Sequence, residues 1–432
     1  MSISLKKFWK LIILICLLGN ALSLVMTDNI SNSKASISEN RNPITSATKL
    51  LWNYTMGDGG RGLKITPDGK YLVAGSWDQK IYLFDTSNPV PIWVRSIPGM
   101  VGDVTISDNG EYIAATSSNS VLYFFNRSSS IPLWNFTAGD LIRSLDFTPD
   151  GQYLAVGSDD FNIYLFERTN PTPIWNYSLG NRVKSVVISS DGTLIAGGGT
   201  SLGVHIYNIS QTAPLIWVNN SMSSVYSLDL TPDDKYLVAG SLAGVNGKIS
   251  LYHALDPHPL QEFETSHTFG HVSISADGLY FTGSVSFENR VYLFERGKTN
   301  PVWNFTAEDQ IEQAEISLDG NYIACGSYDN KVYLFQRENV YANLENQEML
   351  CLQVYETNHY VFSVELSETG EYLAIISNDD NVYMFHNILS EIPEDTPSIS
   401  FGNFFIVAMI LSILTLLFIR IRARNRYLKT KI

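Results

Sequence analysis

Three cysteines in 432 residues, Cys16, Cys325 and Cys351, are too few to hold a scaffold together by disulfides. Charged residues make up only 17% of the chain against 45% hydrophobic, which excludes a disordered polymer and allows a large core. Seven scattered histidines form no HExxH-type metal spacing, and no Ser/His/Asp order or phosphate-cradling glycine loop is present. Helical periodicity is missing between the ends of the chain. Basic residues are scarce and concentrated at the two termini. Setting aside three at the N-terminus and six at the C-terminus leaves 20 against 43 acidic residues, a net of about −23. Such a surface repels phosphate backbones, so no nucleic-acid partner is expected.

What is present begins with the ends. Residues 1–23 carry Lys6, Lys7 and Lys10, then "LIILICLLG", then small residues, the pattern of a signal peptide cleaved near Ser23. Ile15 precedes Cys16, which does not suit a lipid attachment site. Residues 399–419 run for 21 positions without a charge, long enough for a membrane-spanning helix. The tail at 420–432 holds six Lys and Arg and no acid, which predicts a cytoplasmic side. Everything between is then expected outside the cell, with linkers at 24–48 and 387–398.

Between the linkers a unit repeats. A tight-turn signal recurs at Asp68-Gly69, Asn109-Gly110, Asp150-Gly151, Asp191-Gly192, Asp233-Asp234, Asp277-Gly278, Asp319-Gly320 and Thr369-Gly370. Each is followed by an apolar run such as "YLVAGS" and then by one such as "IYLF". Seventeen residues before each turn stand Trp52, Trp93, Trp134, Trp175, Trp217, Gln261, Trp303 and Gln353. Four short β-rich runs per unit of 41 to 50 residues predict an all-β, eight-bladed β-propeller over 49–386. The eighth unit has strands a, b and c but no d, while "KLLWNYT" at the start is a strand d without a blade. Joining the two closes the ring and removes an open sheet edge.

The tryptophans are expected to pack between blades, each contributing at most about 4–6 kcal/mol by area. Cys325 and Cys351 fall on strands b and d of one blade, separated by strand c, about 10 Å apart and beyond disulfide reach. Free thiols are expected.

"YLAVGSDDFNIYLFE" after an "SPDG"-like turn resembles WD-repeat proteins, with Phe for the usual Trp of the name-giving dipeptide and without that family's Gly-His pair. "IWNYSLGNRVKSVVISSDGTLIAGGG" is also similar to the repeat of pyrroloquinoline-quinone propellers, where eight blades and a docking Trp are the rule. The first resemblance implies a structural, loop-tying role for aspartates in the b-to-c turns: Asp78, Asp159, Asp160, Asp329, Asp379 and Asp380. The second implies a vicinal cysteine pair and a calcium site in its enzymes. This sequence has no adjacent cysteines and no inserted segment to frame a cofactor, so no cofactor, no metal and no enzymatic activity are expected.

Eleven residues before each turn lie Asp58, Gly99, Asp140, Asn181, Ser223, His267, Asp309 and His359. They are expected to ring one channel mouth, where Asp58, Asp140, Asn181, His267, Asp309 and His359 are candidate ligand-binding residues. N-x-S/T sequons at Asn53, Asn126, Asn135, Asn176, Asn208, Asn219 and Asn304, with Asn29 in the linker, are candidate glycosylation sites. Asn126 and Asn208 are expected to be more exposed than those on the edge strand. Extra residues lengthen the b-to-c loops of blades five ("LAGVNGK") and six ("SVSFENR") and the c-to-d loop of blade seven. The reading is a membrane-anchored extracellular propeller that binds a protein or ligand or acts as a scaffold. An exported quinoprotein-type dehydrogenase, another enzyme with its site at the channel mouth, and an envelope assembly factor are the alternatives.

Overall fold

In the computed structural model the chain separates into two units, Met1–Ile388 and Leu389–Ile432. The structure describes residues 48–210, 214–243, 246–337 and 351–387. The expected signal peptide, membrane span and tail, with Cys16, Asn29 and most of both linkers, lie outside the described residues. Among the described residues no helix is long and apolar enough to cross a membrane.

The described strands form eight antiparallel four-stranded sheets, the blades of a propeller. Blade one is Gly60–Ile65 (strand a), Tyr71–Ser76 (b), Lys80–Asp85 (c) and Trp93–Ser96 (d). Strands b and c are almost continuously buried, as "YLVAGS" and "KIYLFD" require when a sheet is covered on both faces. Blade eight is Val361–Leu366, Tyr372–Ser377 and Asn381–Asn387, completed by the first strand, Thr48–Thr55. Thr48 pairs with Asn387 and Thr55 with Asn381, so the ring is closed by the beginning of the chain. Both chain ends of the propeller therefore reach the rim that carries the a-to-b turns and c-to-d loops.

The core lies between blades. One cluster joins Trp52, Ile376 and Met384 of blade eight to Leu63, Leu72 and Phe84 of blade one. Each tryptophan packs on the aromatic residue next to the end of strand c of the following blade: Trp52 on Phe84 at 5.2 Å, Trp134 on Phe166 at 5.4 Å, Trp217 on Tyr252 at 5.5 Å. The indole is also a latch. Nε1 of Trp52, Trp93, Trp134 and Trp217 donates to the carbonyls of Thr86, Arg127, Arg168 and Ala254 in the next blade, at 2.6–3.0 Å. Gln261 keeps the link with the polarity reversed, its Oε1 accepting from Gly297 N at 3.0 Å. Cys325 and Cys351 are free thiols.

A second joint couples turns to neighbouring blades. Gly110 and Gly151, at φ +67°, lie against the rings of Tyr71 and Tyr112 of the preceding blades, where an added Cβ would come within 2.5 and 2.7 Å. Blade four carries Leu194 at the tyrosine position, and blade five has Asp234 (φ 60°) in place of the glycine. The turn keeps its left-handed backbone, and the missing ring coincides with the tolerated side chain. Asp234 Oδ1 in turn accepts from Ser190 N of blade four at 2.8 Å.

This pairing predicts a coupling. Leu194→Tyr alone should lower the unfolding free energy by about 1–3 kcal/mol through overpacking. In the Asp234→Gly background the cost should shrink, giving an interaction energy of about 1 kcal/mol or more in a double-mutant cycle measured by denaturant unfolding.

Candidate functional site

Strand a lines the central channel, and in every blade its register slips near the start of the strand, between Gly60 and Gly62, Ile142 and Ser144, or Phe269 and His271, for example. A β-bulge there turns two consecutive residues toward the channel instead of one. The bulged position supplies Arg61, Arg143, Lys184, Tyr226, Glu312 and Phe362 to the lining, and the next one Asp103, Ser144, Ser185, Ser227, His271, Gln313 and Ser363. Two residues deeper come Lys64, Thr105, Asp146, Asp229, Ser273, Glu315 and Glu365. The channel encloses about 800 Å³.

The inner rings have a clear structural task. Strand a is an inner edge whose outward N–H groups lack a sheet partner, and each must be met. Polar side chains of the preceding blade meet them. Asp103 Oδ2 accepts from Leu145 N at 3.1 Å, Ser144 Oγ from Val186 N at 3.1 Å and Ser227 Oγ from Val272 N at 3.1 Å. Deeper, Asp146 Oδ2 accepts from Ile188 N and Asp229 Oδ2 from Ile274 N, both at 2.8 Å.

Burial pushes the carboxyls of Asp103 and Asp146 up to about 7 and that of Asp229 to about 6, against the downward pull of those N–H donors. Burial likewise raises Glu315 and Glu365 and lowers His271 to about 4. Lys64 is the one cation of the deep ring, its Nζ 3.0 Å from Glu365 Oε2. Protein surrounds it, which works against its charge, but 43% of its side chain faces the channel and Glu365, Glu315 and Asp229 hold the charge in place.

The mouth is different in character. Arg143 Nη2 and Lys184 Nζ converge on Asp159 at 2.6 and 2.9 Å. Asp159 is buried, yet these two partners outweigh desolvation and hold its carboxyl below the usual range. Arg61 Nη2 reaches Glu312 Oε1 at 2.5 Å, linking blades one and seven across blade eight. Around that bridge Trp77 packs edge-on against Phe362 at 5.1 Å, and Tyr328 and Tyr360 meet at 4.9 Å. On the other side Phe287, in the lengthened loop of blade six, is 70% exposed and Tyr226 41%.

The six residues expected at the mouth do not line the channel. Oδ1 of Asp58, Asp140, Asn181 and Asp309 accepts the N–H of the very next residue at 2.7–2.8 Å, and His359 Nδ1 accepts from Tyr360 N at 3.0 Å. His267 Nδ1 is 3.0 Å from Ser266 Oγ. They stabilise separate d-to-a turns, which the structure does not bring together. Among the described residues no group of His, Cys, Asp or Glu is arranged to hold a metal ion.

Four of the b-to-c aspartates tie rim loops. Oδ2 of Asp78, Asp160, Asp329 and Asp379 accepts both a d-to-a backbone N–H, from Gly57, Gly139, Glu308 and Asn358, and a tyrosine hydroxyl, from Tyr82, Tyr164, Tyr333 and Tyr383. In blade six Glu288 divides the task between its oxygens, Oε1 accepting from Ser266 N and Oε2 from the Tyr292 hydroxyl. Asp159 instead joins the mouth network, and at Asp380 the backbone is used, its carbonyl accepting from Met56 N. The expected exposure of the sequons is reversed except at Asn219, which lies on an outermost strand. Asn53, Asn135, Asn176 and Asn304 are exposed on the outermost strands, whereas Asn126, Asn208 and Asn219 are half-buried. Asn126 and Asn208 are drawn in because their Oδ1 accepts from the N–H and hydroxyl of Ser128 and Ser210.

The WD domain, G-beta repeat family matches residues 61–85, 131–167, 217–253 and 299–336. The last three stretches each run from strand d of one blade through strand c of the next. No curated protein matches the chain. Among solved structures it is similar to the Dos1 propeller, at 16% identity and TM-score 0.66 over 79% of this chain and 95% of that one. It is also similar to the computationally designed Ika8 protein, at 11% identity and TM-score 0.64 over 78% and 99%. These likenesses concern the fold.

The channel carboxyls predict a pH dependence of stability. Between about pH 4 and 7 the folded protein holds protons on Asp103, Asp146 and Asp229 that the unfolded chain has released, so these groups lose stability as pH rises through that window. His271, depressed in the fold, works in the opposite sense between about pH 4 and 6.5. In Asp103→Asn and Asp146→Asn variants, urea midpoints measured from pH 5 to 8 should fall less with rising pH than in the unaltered chain.

Proposed function

We propose that this protein is a single-span surface protein whose extracellular propeller docks a protein or ligand at the channel mouth. The observation that carries the docking half is the company at that mouth: Trp77, Tyr226, Phe287, Tyr328 and Phe362 beside Arg61, Arg143 and Lys184. Aromatic rings and arginines dominate binding energy at protein interfaces, because they bring large contact area and directed donors at low entropic cost. The deep rings already spend their polar atoms on neighbouring blades, so a partner would meet chiefly the mouth. WD-type propellers commonly bind proteins, which supports the same reading.

Location rests on the sequence signals: a leader at 1–23, an apolar segment at 399–419 and a basic tail at 420–432. The exposed Asn53, Asn135, Asn176 and Asn304 fit glycan acceptors on an extracellular rim. The interior Asp103–Leu145 type contacts read as blade joints, which favours a platform over an enzyme.

Affinity capture with the detergent-solubilised full chain tests this. A Phe287→Ala, Arg143→Ala pair should weaken retention of its partner by roughly tenfold or more, about 1.4 kcal/mol or above. Equal retention by both forms would place the partner elsewhere.

A further inference from the structure

The rim opposite the mouth carries an apolar belt that the docking reading does not use. At the tips of c-to-d loops Val90, Ile131 and Leu255 are 66%, 68% and 55% exposed. Just before the tryptophan position Ile92, Leu133 and Leu260 are 45–54% exposed. Leu51, Ile174 and Ile216 continue the series in blades eight, three and four. Isolated exposed aliphatics are ordinary, but a repeated set at equivalent positions on at least six blades is a surface feature.

We propose that this belt rests on the bilayer, so that the propeller lies with its c-to-d rim on a zwitterionic lipid surface and its channel mouth facing away. The proposal rests on the reading of 399–419 as a membrane span. Three observations favour lipid over a protein partner. Rotational repetition puts the belt residues near one plane perpendicular to the channel, and a flat surface touches them together, whereas a globular partner covers one sector. The chain leaves the propeller on this rim, at Asn387, which donates from its backbone N to Glu371 O beside the a-to-b turn. Only 11 residues, 388–398, separate that point from the apolar segment. Fully extended they reach at most about 40 Å, so the rim cannot lie far from the membrane. The same rim carries Lys70, Arg127, Arg168, Arg296 and Arg337, but acids outnumber them, with Asp68, Asp108, Asp150, Asp191, Asp233, Asp277 and Asp319 in the a-to-b turns alone, which disfavours anionic lipid. Aliphatic tips entering the headgroup layer would hold the disc flat, as interfacial residues do elsewhere.

The test uses the full chain in phosphatidylcholine vesicles, with p-benzoylphenylalanine in place of Ile131, Leu255 or, as a control on the mouth, Phe287. An alkaline wash and flotation are scored first. A chain that washes off ends both the span reading and this inference. For a chain that stays with the vesicles, irradiation should give lipid adducts at 131 and 255 severalfold above those at 287. An integral chain with equal adducts at all three positions, or with cross-links between two copies at 131 and 255, overturns the lipid-facing rim and leaves the span intact. Unchanged thermal midpoints of the three substituted chains establish that each is folded.

Discussion

Every blade of this propeller has two faces to cover, and only its neighbours can cover them. That constraint makes closure the interaction on which the rest depends. In an open array the terminal blades would expose strands as apolar as Tyr71–Ser76 and Tyr372–Ser377 to water. Closure here is made by pairing the first strand with the last, and it uses the same parts as every other joint. Trp52 packs on Phe84 and donates to Thr86 O, as Trp93 does with Phe125 and Arg127 O. The eighth joint is thus chemically one of a series.

The fold was legible because geometry repeats in sequence. A turn that needs φ above zero and a tryptophan at a fixed distance mark each blade, and the orphan strand at the start announces closure. The expected mouth residues fall outside the channel lining for a physical reason. Asp58 and Asp140 lie where the chain turns into strand a, but their carboxylates are taken up by the next N–H. The channel begins three residues later, at a bulge that has no sequence signature of its own. A signal for the lining did exist. Asp103, Ser144, Ser227 and Gln313, then Lys64, Asp146, Asp229 and Glu315, put polar residues at alternate positions of otherwise apolar strands. Mouth aromatics such as Trp77 and Phe287 come from loops, where side-chain direction is not periodic and pattern reading fails.

The ring divides labour between its layers. The deep polar rings satisfy backbone edges and make the channel wall, at the cost of carboxyls that burial makes harder to ionise. The mouth gathers rings and cations that a partner can reach. The far rim carries the first and last strand ends of the propeller, Thr48 and Asn387, and a row of aliphatic tips. One circular repeat therefore offers chemically distinct surfaces above and below.

Amide hydrogen exchange on the full chain tests the central claim, closure by the first strand, most directly. Peptides covering Thr48–Thr55 should exchange as slowly as those covering Trp134–Thr137, an ordinary fourth strand. Exchange of Thr48–Thr55 at the rate of an unstructured peptide, while Trp134–Thr137 stays protected, would contradict it.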